Sequence, residues 1–271
     1  MKWRERTIDF DSFVHRHIGP NQQEIDAMLA KVGFEDLDAV IVPVGGAGLL
    51  AGVSLAIKTL RPNVKIVAVE AENVPSFSAA LEAGKPTEIA MHPTLADGLA
   101  IPQVGSNAFR IAKPLVDLAV SVTEEQIALA ILRLVELEKS VVEGAAATPL
   151  AACMSGKLKE LAGKRMVLLI CGGNIDPNVL SRVIERGLVA DGRLGRFTAI
   201  ISDRPGGLAD LAAQIASTGA SIKQVVHDRA FASSDVSAVN VLCTVETRNH
   251  QHLVELRALL KSHGVETYDS K

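Results

Sequence analysis

Residues 39–48 read Ala39-Val40-Ile41-Val42-Pro43-Val44-Gly45-Gly46-Ala47-Gly48, and an apolar stretch from Leu49 to Leu60 follows them. The first six residues form a short aliphatic run, which is typical of a strand buried on both faces of a sheet. The glycines predict a tight turn, and the stretch after them predicts a helix. A strand, a glycine-rich turn and a helix in this order indicate an α/β fold.

The same alternation continues along the chain. Further short aliphatic strands are predicted at Lys65–Val69, Leu118–Val122 and Arg165–Ile170, with helices between them. Thr123-Glu124-Glu125-Gln126 has the form of a capping box and predicts the start of a helix. Because strands that alternate with helices are joined by right-handed crossovers, we expect a mostly parallel sheet.

The composition narrows the classes of function. Hydrophobic residues make up 48% of the 271 residues and aromatic residues only 3%, so the core must be built from small aliphatic side chains. The formal net charge of −3 argues against a nucleic-acid partner. The sequence has no apolar run that could span a membrane and no signal-peptide pattern, which argues against a membrane partner. Cys153, Cys171 and Cys243 fit neither a disulfide framework nor a zinc site, so we expect a cytoplasmic protein.

Residues 191–271 show a second pattern. Gly187–Gly195 is predicted to be a linker into this unit. Strands and helices are then predicted in the order βαββαβ, at Phe197–Ile201, Leu208–Ser217, Ser221–Asp228, Val236–Val245, Gln251–Ser262 and Val265–Tyr268. This order is that of the ferredoxin-like fold.

Two glycine-rich turns are predicted to lie at the carboxyl ends of strands, at Gly45–Gly48 and at Cys171-Gly172-Gly173-Asn174. Ligands of open α/β sheets collect at that edge, and a helix amino terminus after a glycine turn suits an anion. Two such turns suggest a phosphorylated cofactor. The alternatives stay open: the first turn is a plain strand–helix connection, and Cys171 is a small buried hydrophobe.

Residues 39–190 resemble the latter half of the threonine/serine dehydratases and serine racemases, which are fold-type II (tryptophan-synthase-β-like) enzymes of pyridoxal 5'-phosphate. Five stretches carry the resemblance, in family order: Val42–Leu49, Val69-Glu70-Ala71-Glu72, Thr94-Leu95-Ala96-Asp97-Gly98, Val142-Glu143-Gly144-Ala145 and Cys171-Gly172-Gly173-Asn174-Ile175-Asp176. Residues 196–265 are similar to an ACT domain, a regulatory unit. An ACT domain in this place implies a threonine dehydratase rather than a racemase.

The resemblance implies roles for particular residues. The cofactor phosphate would be wrapped by Gly45, Gly46, Ala47, Gly48 and Leu49. Cys171 would face the pyridine nitrogen, and Glu143 would either lie near the ring or be a carboxylate held by a helix start. Glu70 resembles a ligand of the divalent-metal site of some relatives, but Ser76 stands where they have a second carboxylate, which argues against a metal.

The resemblance also implies an effector site and an oligomer. An amino-acid effector would bind at the turn of the ACT-like unit, formed by Asp203, Arg204, Pro205, Gly206, Gly207 and Leu208. A homo-oligomer is expected through the ACT-like unit or the catalytic unit. Amino acids, as substrate or effector, are the expected small-molecule partners.

Two departures from the family pattern bear on function. Ala47 replaces a usual glycine, and a positive φ there would cost on the order of 1 kcal/mol. The family's Schiff-base lysine belongs to a Ser-x-Lys-x-Arg-Gly motif in the first half of the chain, and this sequence contains no such motif. We therefore expect no catalytic residue here and no dehydratase activity from this chain alone. The alternative function is a non-catalytic, amino-acid-sensing protein that pairs with a full-length dehydratase.

Residues 1–38 differ from the rest. They resemble the amino terminus of the glycine-decarboxylating subunit (P-protein) of the glycine cleavage system, through Phe13-Val14-His15-Arg16-His17-Ile18-Gly19-Pro20 and Gln23-Glu24-Ile25-Asp26-Ala27-Met28-Leu29. We interpret residues 1–38 as an unrelated graft and predict no activity for them.

Overall fold

The computed structural model describes residues 37–229 and 237–269. The predictions for residues 1–36 therefore lie outside the described residues. Within residues 37–190 the helices and strands are, in chain order, β1 (Ala39–Pro43), α1 (Gly48–Leu60), β2 (Lys65–Ala71), α2 (Ser76–Ala83), α3 (Ser106–Ala112), β3 (Leu118–Val122), α4 (Glu124–Arg133), a π-helical turn (Leu134–Glu138), α5 (Gly144–Met154), β4 (Met166–Leu168) and α6 (Pro177–Ala190).

These strands form one parallel sheet in the order β3-β2-β1-β4. Alternate residues of β1 enter different cores, with Ile41 in one and Val40 and Val42 in the other. Helices α1, α2 and α3 cover the second face, while α4, α5 and α6 cover the first. This arrangement confirms the predicted α/β fold with a parallel sheet. The aliphatic runs predicted it correctly because strands buried on both faces are aliphatic throughout.

Local signals fixed several helix starts. The capping box at Thr123 is present, with the Thr123 hydroxyl accepting from the Gln126 amide and the Gln126 side chain accepting from the Thr123 amide. The Asp176 carboxylate caps α6 by accepting from the amides of Asn178 and Val179, and Pro177 occupies the first turn. The predicted strand Arg165–Ile170 is shorter in the structure, where β4 holds only three residues.

The second unit contains β5 (Leu194–Ser202), α7 (Gly207–Ser217), β6 (Ser221–Asp228), β7 (Ala238–Glu246), α8 (His250–Ser262) and β8 (Glu266–Tyr268). Its antiparallel sheet has the order β6-β7-β5-β8, which confirms the ferredoxin-like βαββαβ arrangement. Leu211 and Ile215 of α7, with Leu256 of α8, pack on Phe197 in a core of its own.

The predicted linker Gly187–Gly195 is wrong, because α6 continues to Ala190 and β5 begins at Leu194. Gly187 is a packing residue: a Cβ atom there would lie 3.0 Å from the carbonyl oxygen of Ala128 and 3.0 Å from the Cβ of Leu132. Glycine therefore lets α6 approach α4 closely. From the sequence alone, a glycine needed for close packing looks the same as a glycine in a flexible linker.

Ion pairs hold the junction between the two units. Arg133 of α4 pairs with Asp191, which follows α6, and with Glu136 of the π-helical turn. Arg193, just before β5, pairs with the same Glu136. The junction is thus a short connection with charged contacts to the first unit.

Candidate functional site

The first glycine turn lies between β1 and α1, as predicted. The Val44 amide donates to the Val69 carbonyl at 2.8 Å, which continues the β1–β2 pairing into the turn. The Gly46 carbonyl accepts from the Gly105 amide at 3.1 Å. Ala47 is the residue before the first helical residue, Gly48, and has φ 65°. The backbone of Ala47 is therefore in the left-handed region, and this is the conformation in which its methyl group was expected to cause strain.

Gly45 is required by a close approach of two backbones. A Cβ atom at this position would lie 3.0 Å from the Cα and 3.2 Å from the carbonyl oxygen of Leu99. Leu99 belongs to a 3₁₀ turn that follows Ala96. The backbone of Gly45 thus packs directly on the backbone of Leu99, which a side chain at position 45 would prevent.

The second glycine turn follows β4, the parallel neighbour of β1. Cys171 is exposed there, so the alternative interpretation of Cys171 as a small buried hydrophobe is wrong. Glu143 holds this turn: its carboxylate accepts from the Asn174 amide at 2.9 Å, and its own amide donates to the Gly172 carbonyl at 3.2 Å. Glu143 precedes α5 but its side chain makes no capping hydrogen bond to that helix.

Both turns line one cavity of about 270 Å³ at the carboxyl edge of the parallel sheet. It brings together all seven residues predicted for the cofactor, namely Gly45, Gly46, Ala47, Gly48, Leu49, Glu143 and Cys171. The wall also contains Gly98, Leu99, Ala145 and Ala146, which were not predicted as site residues. These residues lie in or directly after Thr94–Gly98 and Val142–Ala145, two of the stretches that carry the family resemblance. The resemblance could therefore have identified them as site residues.

The chemistry of the cavity fits a phosphorylated cofactor. Helix α1 has 13 residues, and its amino terminus, free of acidic side chains in the first turn, points its amide groups at the turn. The backbone at Gly48 leaves room for phosphate oxygens, since a Cβ atom there would meet nothing within 4 Å. Gly45 to Leu49 would hold the phosphate, and Cys171 and Glu143 line the same cavity.

Glu70 performs a structural task at the start of α2. Its carboxylate is fully buried and accepts from the amides of Phe77 at 2.6 Å and Ser78 at 2.9 Å, and from the Ser78 hydroxyl. Burial raises the pKa of Glu70 above its ordinary value, while these donors act in the opposite direction. The described residues contain no group of three or more His, Cys, Asp or Glu side chains that could hold a metal ion.

The turn predicted to bind an effector lies between β5 and α7 and lines a cavity of about 470 Å³. Asp203 accepts two hydrogen bonds from the Arg229 guanidinium, at 2.8 and 3.0 Å. Arg229 holds the pKa of Asp203 below its ordinary value, with a further contribution from His227. Gly206 precedes the first helical residue with φ 95°, a conformation that glycine adopts readily.

Comparison with known proteins identifies the family. A family model described as pyridoxal-phosphate dependent enzyme matches residues 20–172, which is more than half of the 271 residues. The chain belongs to this family. The match begins inside the segment 1–38.

Curated relatives of the family cover most of this chain. An L-threonine ammonia-lyase of Geobacter sulfurreducens is 43% identical over 84% of this chain and 57% of its own length. An L-threonine ammonia-lyase of Thermotoga maritima is 39% identical over 94% of this chain and 64% of its own length. The chain therefore spans about six tenths of the length of these relatives.

Solved structures in the family share the fold. A threonine deaminase from T.th. is 35% identical, with a TM-score of 0.52 over 57% of this chain and 56% of its own. A processed threonine deaminase from Solanum lycopersicum is 31% identical, with a TM-score of 0.55 over 60% of this chain and 47% of its own.

In the described part of this chain no helix is long and apolar enough to cross a membrane. The cytoplasmic location stays a prediction.

Proposed function

We propose that this chain supplies the phosphate-binding and ring-facing walls of a pyridoxal-phosphate-dependent L-threonine or L-serine dehydratase. The reaction gives 2-oxobutanoate or pyruvate, and ammonia. The observation that carries the proposal is the convergence of the Gly45–Leu49 turn, Glu143 and Cys171 on one cavity. The names of the two curated relatives support threonine as the substrate.

Each wall has a separate role in the proposal. The amides of the first turn and the amino terminus of α1 bind the phosphate. The Cys171 thiol offers a neutral partner to the ring nitrogen, and Glu143 keeps the Gly172–Asn174 turn in place through its bond to Asn174. When bound, pyridoxal phosphate supplies the electron sink that the loss of the substrate hydroxyl requires.

Binding of the phosphate is tested with two variants at one position. Gly48 is the first residue of α1, and a Cβ atom there would meet nothing within 4 Å. Gly48→Asp keeps the helix, because a carboxylate is stabilising at a helix amino terminus, but it repels a phosphate. Gly48→Asn has nearly the same shape without the charge and serves as the control.

The measurement follows backbone amide NMR shifts of the full chain during titration with inorganic phosphate and with pyridoxal phosphate. We expect shifts at Gly45, Gly46 and Gly48 in the unchanged chain, and affinity about tenfold weaker in Gly48→Asp than in Gly48→Asn. Shifts that appear elsewhere but not in this turn would contradict the assignment.

Turnover requires a further group. The lysine motif of the family does not occur in this sequence, and that lysine both binds the cofactor and moves the α-proton. The full chain with added pyridoxal phosphate is therefore expected to form no 2-oxo acid from L-threonine. Turnover, or borohydride trapping of the cofactor on a lysine, would overturn this expectation.

A second candidate function is amino-acid sensing by residues 194–269 as an ACT domain. It is supported by the cavity at the Asp203–Leu208 turn and by α7, whose amino terminus borders that cavity and suits an effector carboxylate. Leu208, 41% exposed in the first turn of α7, allows a matched pair of variants. Leu208→Asp is expected to abolish amino-acid binding measured by calorimetry, and Leu208→Asn to retain it. A chain that binds no amino acid would remove this candidate.

A further inference from the structure

Another cavity of the first unit lies between α6, the start of α4 and residues 93–95. Its volume is about 640 Å³, and it shares no lining residue with the candidate cofactor cavity. Apolar and charged side chains line it together, namely Leu95, Val179, Val183, Glu124, Arg182 and Arg186. Apolar walls with a few convergent polar groups are typical of a site for a small molecule.

The two arginines of this cavity lack acidic partners. Arg182 and Arg186 lie one turn apart on α6, and both side chains are exposed. Among the described residues no ion pair is found for either guanidinium, and Glu185 beside them is bound to Lys223 at 2.6 Å. Because like charges at positions i and i+4 of a helix repel each other, an anion bound to both guanidiniums would relieve that repulsion.

Glu124 brings a fixed negative charge to the same cavity. Its carboxylate accepts from the Thr94 hydroxyl and the Leu95 amide, both at 2.6 Å, and from the Asn73 side-chain amide at 3.5 Å. These donors are neutral, so they hold the carboxylate in place without compensating its charge. The Leu95 amide alone binds Oε2, and a carboxylate oxygen can accept a second hydrogen bond.

Opposite charges thus line one cavity without pairing. In the described structure no ion pair joins Glu124 to Arg182 or Arg186, although all three line the cavity. A ligand with the reverse arrangement would match it, with carboxylates at the guanidiniums and an ammonium group at the carboxylate. Two guanidiniums and one carboxylate leave one net positive charge, which a ligand with two carboxylates and one ammonium group neutralises.

We propose that this cavity binds an acidic α-amino acid of the aspartate or glutamate class. The two ligand carboxylates contact Arg182 and Arg186, and the ammonium group donates to Oε2 of Glu124. The methylene groups of the ligand lie on Val179 and Val183. The inference does not rest on the proposed dehydratase function, because none of these residues lines the candidate cofactor cavity.

The experiment titrates L-aspartate and L-glutamate separately into the full chain, followed by calorimetry and backbone amide NMR. We expect saturable shifts at Leu95, Val183 and Arg186 with at least one of them. Succinate and glutarate carry the same carboxylates without the ammonium group, and they are expected to bind at least about tenfold more weakly than the matching amino acid. Absence of binding by both amino acids would overturn the proposal.

A pair of double variants tests the arginines. Arg182→Gln/Arg186→Gln is expected to weaken amino-acid binding at least about tenfold. Arg61→Gln/Arg110→Gln removes the same charge from exposed arginines that do not line the cavity, and it is expected to bind like the unchanged chain. Equal loss in both double variants would show a general effect of charge and would contradict the site.

Glu124→Gln tests the contact with the ammonium group. The variant is expected to reduce the affinity for the amino acid to that for the matching dicarboxylate, while dicarboxylate binding stays equal or becomes tighter because a negative charge is removed. Urea unfolding of each variant checks that it is folded. If Glu124→Gln weakens both classes of ligand equally, Glu124 does not recognise the ammonium group and the proposal is wrong.

The NMR shifts separate this site from the other two candidate sites. Amino-acid shifts confined to Asp203–Leu208 would place the ligand at the turn of the second unit, and shifts confined to Gly45–Gly48 would place it in the cofactor cavity. Either result would overturn the proposal. Failure of phosphate binding at Gly45–Gly48 would contradict the proposed function and leave this inference standing.

Discussion

The carboxylate of Glu143 lies against the backbone of Gly172, in the space that a Cβ atom at residue 172 would take. The Glu143 amide also donates to the Gly172 carbonyl, and its carboxylate accepts from the Asn174 amide. Two segments that are about thirty residues apart in sequence are thus fixed to each other beside the candidate cofactor cavity. The φ of Gly172 is not in the left-handed region. Glycine is therefore needed here for the close approach of Glu143 and not for its backbone conformation.

Gly172→Ala is expected to destabilise the chain by about 1–3 kcal/mol, because the methyl group would displace Glu143. In a Glu143→Ala background the same change is expected to cost much less, since the space is then free. Urea unfolding of the two single variants and the double variant measures this coupling. Gly52→Ala, in α1 with no atom within 4 Å of the new Cβ, is the control and is expected to be neutral or stabilising. Additive effects at 143 and 172 would contradict the contact.

Ala47→Gly is expected to stabilise the chain by about 0.5–1 kcal/mol, because the left-handed conformation strains an alanine and glycine removes that strain at some cost in chain entropy. The strained residue has φ 65°. Ala56→Gly in the exposed middle of α1 is the matched control and should destabilise by about 1 kcal/mol. Thermal or urea unfolding measures both. A loss of stability in Ala47→Gly equal to that of the control would show that residue 47 is not strained.

The ion pairs of Glu136 predict a pH dependence. Arg193 first, and Arg133 in addition, hold the pKa of Glu136 below its ordinary value. A depressed carboxyl pKa contributes stability above the ordinary pKa of Glu, and that contribution is lost as the pH falls through the folded-state pKa. Glu136→Gln should therefore lower the free energy of unfolding at neutral pH and make little difference at the acid end.

Glu138→Gln is the control for this pH series. Glu138 is exposed in the same π-helical turn, and no ion pair is found for it among the described residues. Its unfolding free energy should follow that of the unchanged chain across the pH range. If Glu136→Gln also follows the unchanged chain at every pH, the pairs with Arg193 and Arg133 contribute nothing to stability.

Self-association is expected through the ferredoxin-like unit. Helices α7 and α8 pack in one core with the sheet, and β6 is an edge strand of that sheet. Val226 on β6 is 42% exposed, and Val226→Lys should shift a dimer toward monomer in sedimentation because a charge blocks strand pairing. Val254→Lys, on α8 with 49% exposure, is the control and should leave the dimer intact. If the unchanged chain is a monomer in sedimentation, the predicted self-association is wrong.

Much of the fold could be predicted from local sequence. The aliphatic run at Ala39–Val44 predicts a strand covered on both faces, and the predicted bounds of the strands Leu118–Val122 and Ser221–Asp228 agree with the structure. The reason is that period, capping and turn residues act within a few positions of each other. Helix ends were less predictable: α6 continues to Ala190, into the predicted linker.

The sequence by itself determined the α/β class, the two units and the seven residues of the candidate cofactor cavity, because short motifs carry those signals. Only the tertiary structure decided that Gly187 packs α6 on α4 instead of forming a linker, and that Glu70 serves the start of α2. It alone decided that Glu143 fixes the turn after β4, and that Cys171 lines both the candidate cofactor cavity and an apolar groove that also contains Leu168 and Ile170. These facts depend on distances between residues far apart in the chain, which no local pattern encodes.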